Sequence, residues 1–306
     1  MHGRIASPRQ ANPPISVSRN FFRGVPMAVT RANRIWRLCG LALVVLASGC
    51  VSQPPVDLHT EQTLGSPLPY EAREPGLTPA PKLAAVPPQV IQHGPRRKKR
   101  VALTFDACST QGSSRFDERV IRTLIDLQVP ATLFLGGNWM EEHPDETMEL
   151  ARHPQFELAN HTYLHPHMTR VDDNRVREEI TRTQDILYTL TGRTARLFRA
   201  PYGELDGRVA KLVGEQGLIS VQFDLASGDP DPHISAKRLV EYVSDQARNG
   251  SIIVMHMNGR GWKTAEALPR IIIRLKKRGF KLMTVSDMLA LPHDTVEPRT
   301  LSRSSP

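Results

Sequence analysis

Val101-Ala102-Leu103-Thr104-Phe105-Asp106-Ala107-Cys108 is an apolar run that stops at an acid and a thiol. Val101–Phe105 is long enough for a short strand, and the charge after it marks where the chain leaves a sheet. The pattern repeats downstream. The apolar spacing of Val120, Leu124 and Leu127 predicts a helix over Asp117–Leu127, followed by a strand at Ala131–Leu135 and a helix over Trp139–Arg152. A third strand is expected at Phe156–Ala159. The long helix after it, Asp173–Leu190, is started by Asp172 and Asp173 and stopped at Gly192. Strands at Leu197–Phe198, Leu218–Phe223, Ile252–Met255 and Lys281–Val285 alternate with helices near Asp206–Glu215, Ala236–Arg248 and Thr264–Lys277. Such alternation means an α/β fold with a parallel sheet or barrel and helices outside. Seven or so units suit a (β/α)7 barrel better than an open sheet. Chemistry in these folds gathers at the carboxyl ends of the strands.

Polar residues are concentrated at those ends. The first strand stops at Asp106, and the third runs into Asn160-His161-Thr162-Tyr163-Leu164-His165-Pro166-His167. The fourth leads to Phe198-Arg199-Ala200-Pro201-Tyr202-Gly203. The fifth ends at Asp224 and continues to Gly228-Asp229-Pro230-Asp231, and the sixth stops at His256. His161 and His165 lie four apart, which on a helical turn brings two imidazoles to one side, as a metal pair requires. Taken singly, each residue has a plainer reading: surface or core histidines, a helix N-cap at Asp106, a structural ion-pair partner at Arg199. Five such groups in register with five strands favour a site.

The 306 residues, 40% hydrophobic and 23% charged, suffice for a real core, and three cysteines exclude a disulfide scaffold. The net charge of +9 is confined to the first third. Residues 1–100 carry 14 Lys/Arg against 4 Asp/Glu, whereas residues 101–292 carry 24 against 25. The folded part is therefore near neutral, and a nucleic-acid partner is not expected.

Arg31, Arg34 and Arg37 precede the apolar run Leu38–Ala47, which ends in Ser48-Gly49-Cys50. This is the layout of a secretory signal. About ten apolar residues are too few to span a hydrocarbon core of ~30 Å. Leu46-Ala47-Ser48-Gly49-Cys50 resembles a bacterial lipobox, which implies cleavage before Cys50, acylation of its sulfur and a membrane-tethered protein. Val51 after the cysteine leans that resemblance towards the outer membrane. Plain secretion and an uncleaved anchor are the alternatives. Residues 1–26 do not read as a signal, so Met27 is a candidate start, and residues 27–50 form the signal segment. Ten prolines between Val51 and Pro95 make residues 51–99 a semi-rigid tether. Its closing run, Arg96-Arg97-Lys98-Lys99-Arg100, fits either contact with anionic lipid or polymer or a solvated cluster at a domain edge. The domain is expected over 100–292, with a disordered tail at 293–306.

Taken together, Asn160-His161-Thr162-(two residues)-His165 and Phe198-Arg199-Ala200-Pro201-Tyr202-Gly203 resemble the polysaccharide deacetylases of the NodB-homology type, carbohydrate esterase family 4. The resemblance spans Arg100–Leu291. It implies a distorted (β/α)7 barrel, a polysaccharide substrate and a divalent metal, often zinc. It implies removal of acetyl groups from N-acetylated sugars of chitin, peptidoglycan or exopolysaccharide, or from O-acetylated xylan. Carried over by position, His161 and His165 would hold the metal, which polarises the acetyl carbonyl and acidifies a water. Asp106 would be the general base, kept ionised by Arg199. The backbone N–H of Tyr202 would stabilise the oxyanion. His256 would protonate the departing amine, tuned by Asp229, and Asn160 would support the histidines.

Two departures qualify the resemblance. The family's first motif usually reads Thr-Phe-Asp-Asp, its second aspartate being a metal ligand, and Ala107 stands there. Asp106 itself, another carboxylate or Cys108 could fill the gap; Cys108 could equally be a small buried residue. Pro230 stands where a tryptophan commonly follows the aspartate matched by Asp229. Trp262, in the loop Met257–Thr264, reads either as a sugar-stacking residue or as a packing aromatic. Three functions follow: an envelope-tethered N-deacetylase of N-acetylhexosamine, a hydrolase of some other amide or ester, and an inactive carbohydrate-binding lipoprotein. No protein partner is implied.

Overall fold

The structure, a computed structural model, describes residues 76–109 and 114–291. Its nine strands are β1 Val90–Ile91, β2 Arg100–Ala107, β3 Ala131–Leu135, β4 Phe156–Asn160, β5 Leu197–Phe198, β6 Ile219–Val221, β7 Leu225–Ala226, β8 Ser251–His256 and β9 Lys281–Met283. They pair in parallel in the order β1-β6-β5-β4-β3-β2-β8-β7. One edge of β2 lies along β8; the other is shared, β9 taking Arg100–Ala102 and β3 taking Thr104–Ala107. β6 and β7 stand near opposite ends of this order, yet only Gln222, Phe223 and Asp224 separate them in sequence. The sheet must therefore curl until its ends nearly meet, which is the distorted (β/α)7 barrel expected from the sequence.

Alternation along the strands separates two layers. Ala102, Phe134, Ala159, Leu197, Val221 and Ile252, from six strands, form one cluster in the barrel interior. Val101, Leu103 and Phe105, on the opposite face of β2, pack with Val120, Leu124 and Ile271 of the surrounding helices. Those helices are α1 Glu118–Asp126, α2 Gly137–Glu142, α3 Pro144–Arg152, α4 Asp173–Thr191, α5 Gly207–Glu215, α6 Ala236–Gln246 and α7 Thr264–Lys277. The last helix, α8 Val285–Leu289, plugs the amino-terminal end of the barrel with Val285 and Met288. The Val285 N–H donates to Thr132 Oγ1 at 2.9 Å, and the Ser286 N–H to Glu157 Oε2 at 3.3 Å.

The structure departs from the sequence-based expectations in definite places. The helix expected over Trp139–Arg152 is two, because Pro144 has no N–H to continue α2 and instead occupies the first turn of α3. The strand expected over Lys281–Val285 stops at Met283, where Thr284 caps α8 through a side-chain bond to the Asp287 N–H.

Residues 76–99, assigned by composition to the tether, lie along the barrel. The Ala80 N–H donates to Asp185 Oδ1 on α4 at 2.7 Å, and the Val86 N–H to the Gly214 carbonyl at 2.9 Å. Val90 and Ile91 pair with Ser220 and Val221 as an added strand. Gly217 makes room for this segment: its φ is +77°, and a Cβ there would stand 2.4 Å from Leu83 Cβ. The basic run after it is partly consumed, with Arg96 paired to Asp224 at 2.8 Å and Lys99 Nζ donating to the Arg278 carbonyl. The candidate start at Met27, the signal segment, the lipobox with Cys50, residues 51–75 and the tail 293–306 lie outside the described residues. Among the described residues no helix is long and apolar enough to cross a membrane.

Candidate active site

The interior face of the barrel decides which side chains meet at its carboxyl end. On β2, Ala102, Thr104 and Asp106 point inwards; continuing the alternation, Arg199 follows Leu197, His161 follows Ala159, and His256 follows Ile252 and Val254. A cleft of about 260 Å³ opens over these residues, lined among others by Asp106, Cys108, His161, His165, Asp229 and His256. The cleft thus brings together Asp106, His161, His165, Tyr202, Asp229 and His256, all singled out in the sequence.

Asp106 and Arg199 form a buried ion pair, Oδ1 to Nη1 at 2.6 Å, with Arg199 only 1% exposed. The guanidinium also donates to Thr104 Oγ1 at 2.9 Å and to the Val221 and Gln222 carbonyls at 3.3 Å, and it lies 3.9 Å from the Phe134 ring centroid. Burial works to raise the pKa of Asp106. The positive charge and hydrogen bond of Arg199, with a contribution from His256, outweigh it and hold the carboxyl below its ordinary value.

His161 Nδ1 lies 2.9 Å from the Arg199 carbonyl, which can only accept, so Nδ1 carries the proton and Nε2 keeps its lone pair. Nε2 is 3.7 Å from Asp106 Oδ2. Burial lowers the pKa of His161 and takes that of His165 down to about 3, leaving two neutral imidazoles with ring centroids 5.0 Å apart. His165 Nδ1 is buried with no hydrogen-bond partner. A buried lone pair without a donor is costly in a dry site and natural for a metal ligand. Cys108 Sγ joins them: one ligand atom from each of Cys108, His161 and His165 lies within 4.8 Å of the others. The donor set of two neutral imidazoles and a thiol fits a divalent ion of the zinc type.

The helical turn assumed for the histidine pair is absent. Residues 161–165 form a turn in which Thr162 (φ +67°) and His165 (φ +59°) take left-handed conformations. Asn160 holds it by accepting the Thr162 N–H at 3.0 Å while its amide donates to the Ile180 carbonyl. Glu179, on α4, was not singled out in the sequence. It is 1% exposed, and its Oε2 accepts both the Tyr163 and Leu164 N–H groups at 2.7 Å. An acid within the buried face of an amphipathic helix was the available signal.

Across the cleft, His256 Nδ1 is 2.9 Å from Asp229 Oδ1. Asp229 is fully buried and also accepts from Ser227 Oγ, Thr264 Oγ1 and the His256 N–H. Burial works to lower the pKa of His256, but the hydrogen bond and charge of Asp229 outweigh it and raise it above the usual histidine value. Thr264 had been read only as a helix start. Tyr202 lines the cleft with φ +59°, its ring stacked at 4.1 Å on His167. Pro230 also lines the cleft. Trp262 is 61% exposed and stands outside the lining, whereas Arg260, from the same loop, is part of it. Asp224, expected at the rim, instead accepts the Ile252 N–H near the start of β8 and pairs with Arg96, away from the cleft.

The polysaccharide deacetylase family profile matches residues 93–221. The peptidoglycan-N-acetylglucosamine deacetylase of Bacillus cereus is 32% identical over 197 residues, covering 64% of this chain and 70% of that protein. A crystal structure of a peptidoglycan N-acetylglucosamine deacetylase superimposes with a TM-score of 0.62 at 30% identity, over 67% of this chain and 94% of the other. A carbohydrate esterase family 4 pseudoenzyme from Bacillus anthracis has a TM-score of 0.60 at 25% identity, over 67% of this chain and 70% of its own; a mutant of it is described as having restored activity.

Proposed function

The chain belongs to the polysaccharide deacetylase family, a family of hydrolases, and on that premise we propose that it removes the acetyl group from N-acetylhexosamine units of peptidoglycan or a secreted polysaccharide. The observation that carries this reading is the pairing across one cleft. A carboxylate held ionised (Asp106 by Arg199) faces an imidazole whose protonated form is favoured (His256 by Asp229), with the His161–His165 cluster beside them. Amide hydrolysis needs a proton removed from water at one point and delivered to a nitrogen at another, and these two groups are tuned in those opposite directions.

Asp106 would take the proton from the attacking water. Arg199 has its donors committed to Asp106, Thr104 and two carbonyls, so its part is to keep that carboxylate charged and in place. His256 would deliver the proton to the departing amine. The Tyr202 N–H, on its left-handed turn, would donate to the oxyanion of the tetrahedral intermediate. A divalent ion held by His161 and His165 would supply carbonyl polarisation and a more acidic water. Trp262 would stack on a sugar ring beyond the cleft. Lipid attachment at Cys50 would hold the domain on the periplasmic side of the envelope, at the outer membrane.

The test is acetate release from N-acetylglucosamine oligomers and from purified peptidoglycan, before and after chelation. Chelator-sensitive release supports the reading; no release from either substrate with zinc or cobalt supplied sinks it. Ala107 and the likeness to a pseudoenzyme favour one second reading, a domain that binds saccharide without turnover. That reading predicts retention on immobilised saccharide with no acetate released.

A further inference from the structure

We propose that Cys108 is the third protein ligand of the metal centre, giving a thiolate–imidazole–imidazole site instead of one completed by a carboxylate. The inference deepens the proposed hydrolytic function and rests on the metal cluster that reading uses. Its first support is strand geometry. β2 ends at Ala107, which belongs to the cluster packed against the helices, and Cys108, the next residue, lines the cleft together with Asp106. The side chain that shares the cleft with the two histidines is therefore the thiol and not Ala107.

The second support is distance and identity. The ligand atoms of Cys108, His161 and His165 lie within 4.8 Å of one another, and no carboxylate joins such a group among the described residues. Zinc–sulfur and zinc–nitrogen bonds of about 2.3 and 2.0–2.1 Å on a tetrahedron put the donor atoms roughly 3.3–3.6 Å apart, so closing the site needs a contraction of about 1 Å. Asp106 is the rival ligand, but its Oδ1 is bonded to Arg199 and its carboxylate has separate work as the base.

The third support is the unpartnered group. His165 is 7% exposed, its Nδ1 is buried without a hydrogen bond, and one of its ring nitrogens belongs to the cluster with the thiol. His161 presents its free Nε2 because Nδ1 is committed to the Arg199 carbonyl. Asn258 buttresses the remaining corner, its amide donating to the Cys108 carbonyl at 2.6 Å and lying 3.6 Å from Sγ. A soft ligand in place of a carboxylate shifts preference towards zinc and cobalt and away from magnesium or calcium.

The test is spectroscopic and does not depend on turnover. Cobalt-loaded protein should show thiolate-to-cobalt charge-transfer absorption in the near ultraviolet, which histidine and carboxylate ligands do not give. Zinc X-ray absorption of the unsubstituted protein should show one sulfur at about 2.3 Å. Cys108→Ser should abolish the charge-transfer band and weaken zinc binding by at least about 100-fold, because even partners behind the ligands cost 10–100-fold. Cys108→Asp should restore binding without the band. Stoichiometric cobalt with no charge-transfer band, a sulfur-free zinc shell, or Cys108→Ser retaining full affinity would each overturn the proposal. Acetate release is scored separately: a charge-transfer band without acetate leaves the ligand assignment standing and sinks the hydrolase, while acetate without the band does the reverse.

Discussion

Arg199 is the residue on which the most depends. It is buried, bonded to Asp106, Thr104 and two backbone carbonyls, and faces Phe134. Removing it strands a carboxylate in a dry pocket. Arg199→Ala should therefore cost about 3–5 kcal/mol of stability, read as a lowered denaturant midpoint, as well as activity. His256→Ala should behave differently: metal content unchanged, kcat down by ~10²–10⁴, the range for a lost acid–base group. The acid must be protonated to act, so the rate should fall as pH rises through the pKa of His256, which Asp229 raises. Asp229→Asn should move that alkaline limb to lower pH in a pH–rate profile; an unmoved limb would remove His256 from the role of acid. At this scale the sequence was informative, because acids and histidines after apolar strands announce themselves. Glu179 and Thr264 did not, since each acts by bonding to a turn or acid that only the tertiary fold brings near it.

The elements show why boundaries were harder to read than existence. Capping signals were reliable: Asp172 and Gly192 delimit α4 as expected, the former accepting the Arg175 N–H and the latter left-handed at φ +69°. Pro144 was passed over, although it divides α2 from α3. The histidine turn was the larger surprise. Spacing of four suggested a helix, yet two left-handed residues and an acid from α4 build the turn instead. Glu179→Ala should consequently loosen His161 and His165, the proposed ligands, weakening zinc affinity about 10–100-fold in a competition titration while the fold persists. β1 makes a second case. Two residues among prolines carry no periodicity, and only pairing with β6 reveals them as a strand. A chain beginning at Arg96 would lack β1 and the segment before it, and its Tm should fall by about 4 °C or more relative to one beginning at Gly76, since each 1 kcal/mol shifts Tm by about 2–4 °C at this size.

For the whole molecule, alternation of strand and helix pointed to a parallel sheet or barrel, the count of about seven units favoured the barrel, and the polar strand ends do gather at one cleft. Alternation did not give the closure, which depends on three residues carrying the chain between β6 and β7. Nor could composition say where the barrel begins. Proline content made residues 51–99 look uniform, whereas the chain from Gly76 onward is bonded to α4, α5 and β6. Under the proposed lipid attachment this would set a radius of action. With a lipid at Cys50, residues 51–75 are the chain outside the described fold, and 25 residues at full extension cover at most about 90 Å. Had the whole stretch to residue 99 been free, the limit would have been about double. If Cys50 carries that lipid and the proposed deacetylation holds, the barrel would reach only the layer of polymer next to its own membrane, and glycan beyond that distance would be left acetylated.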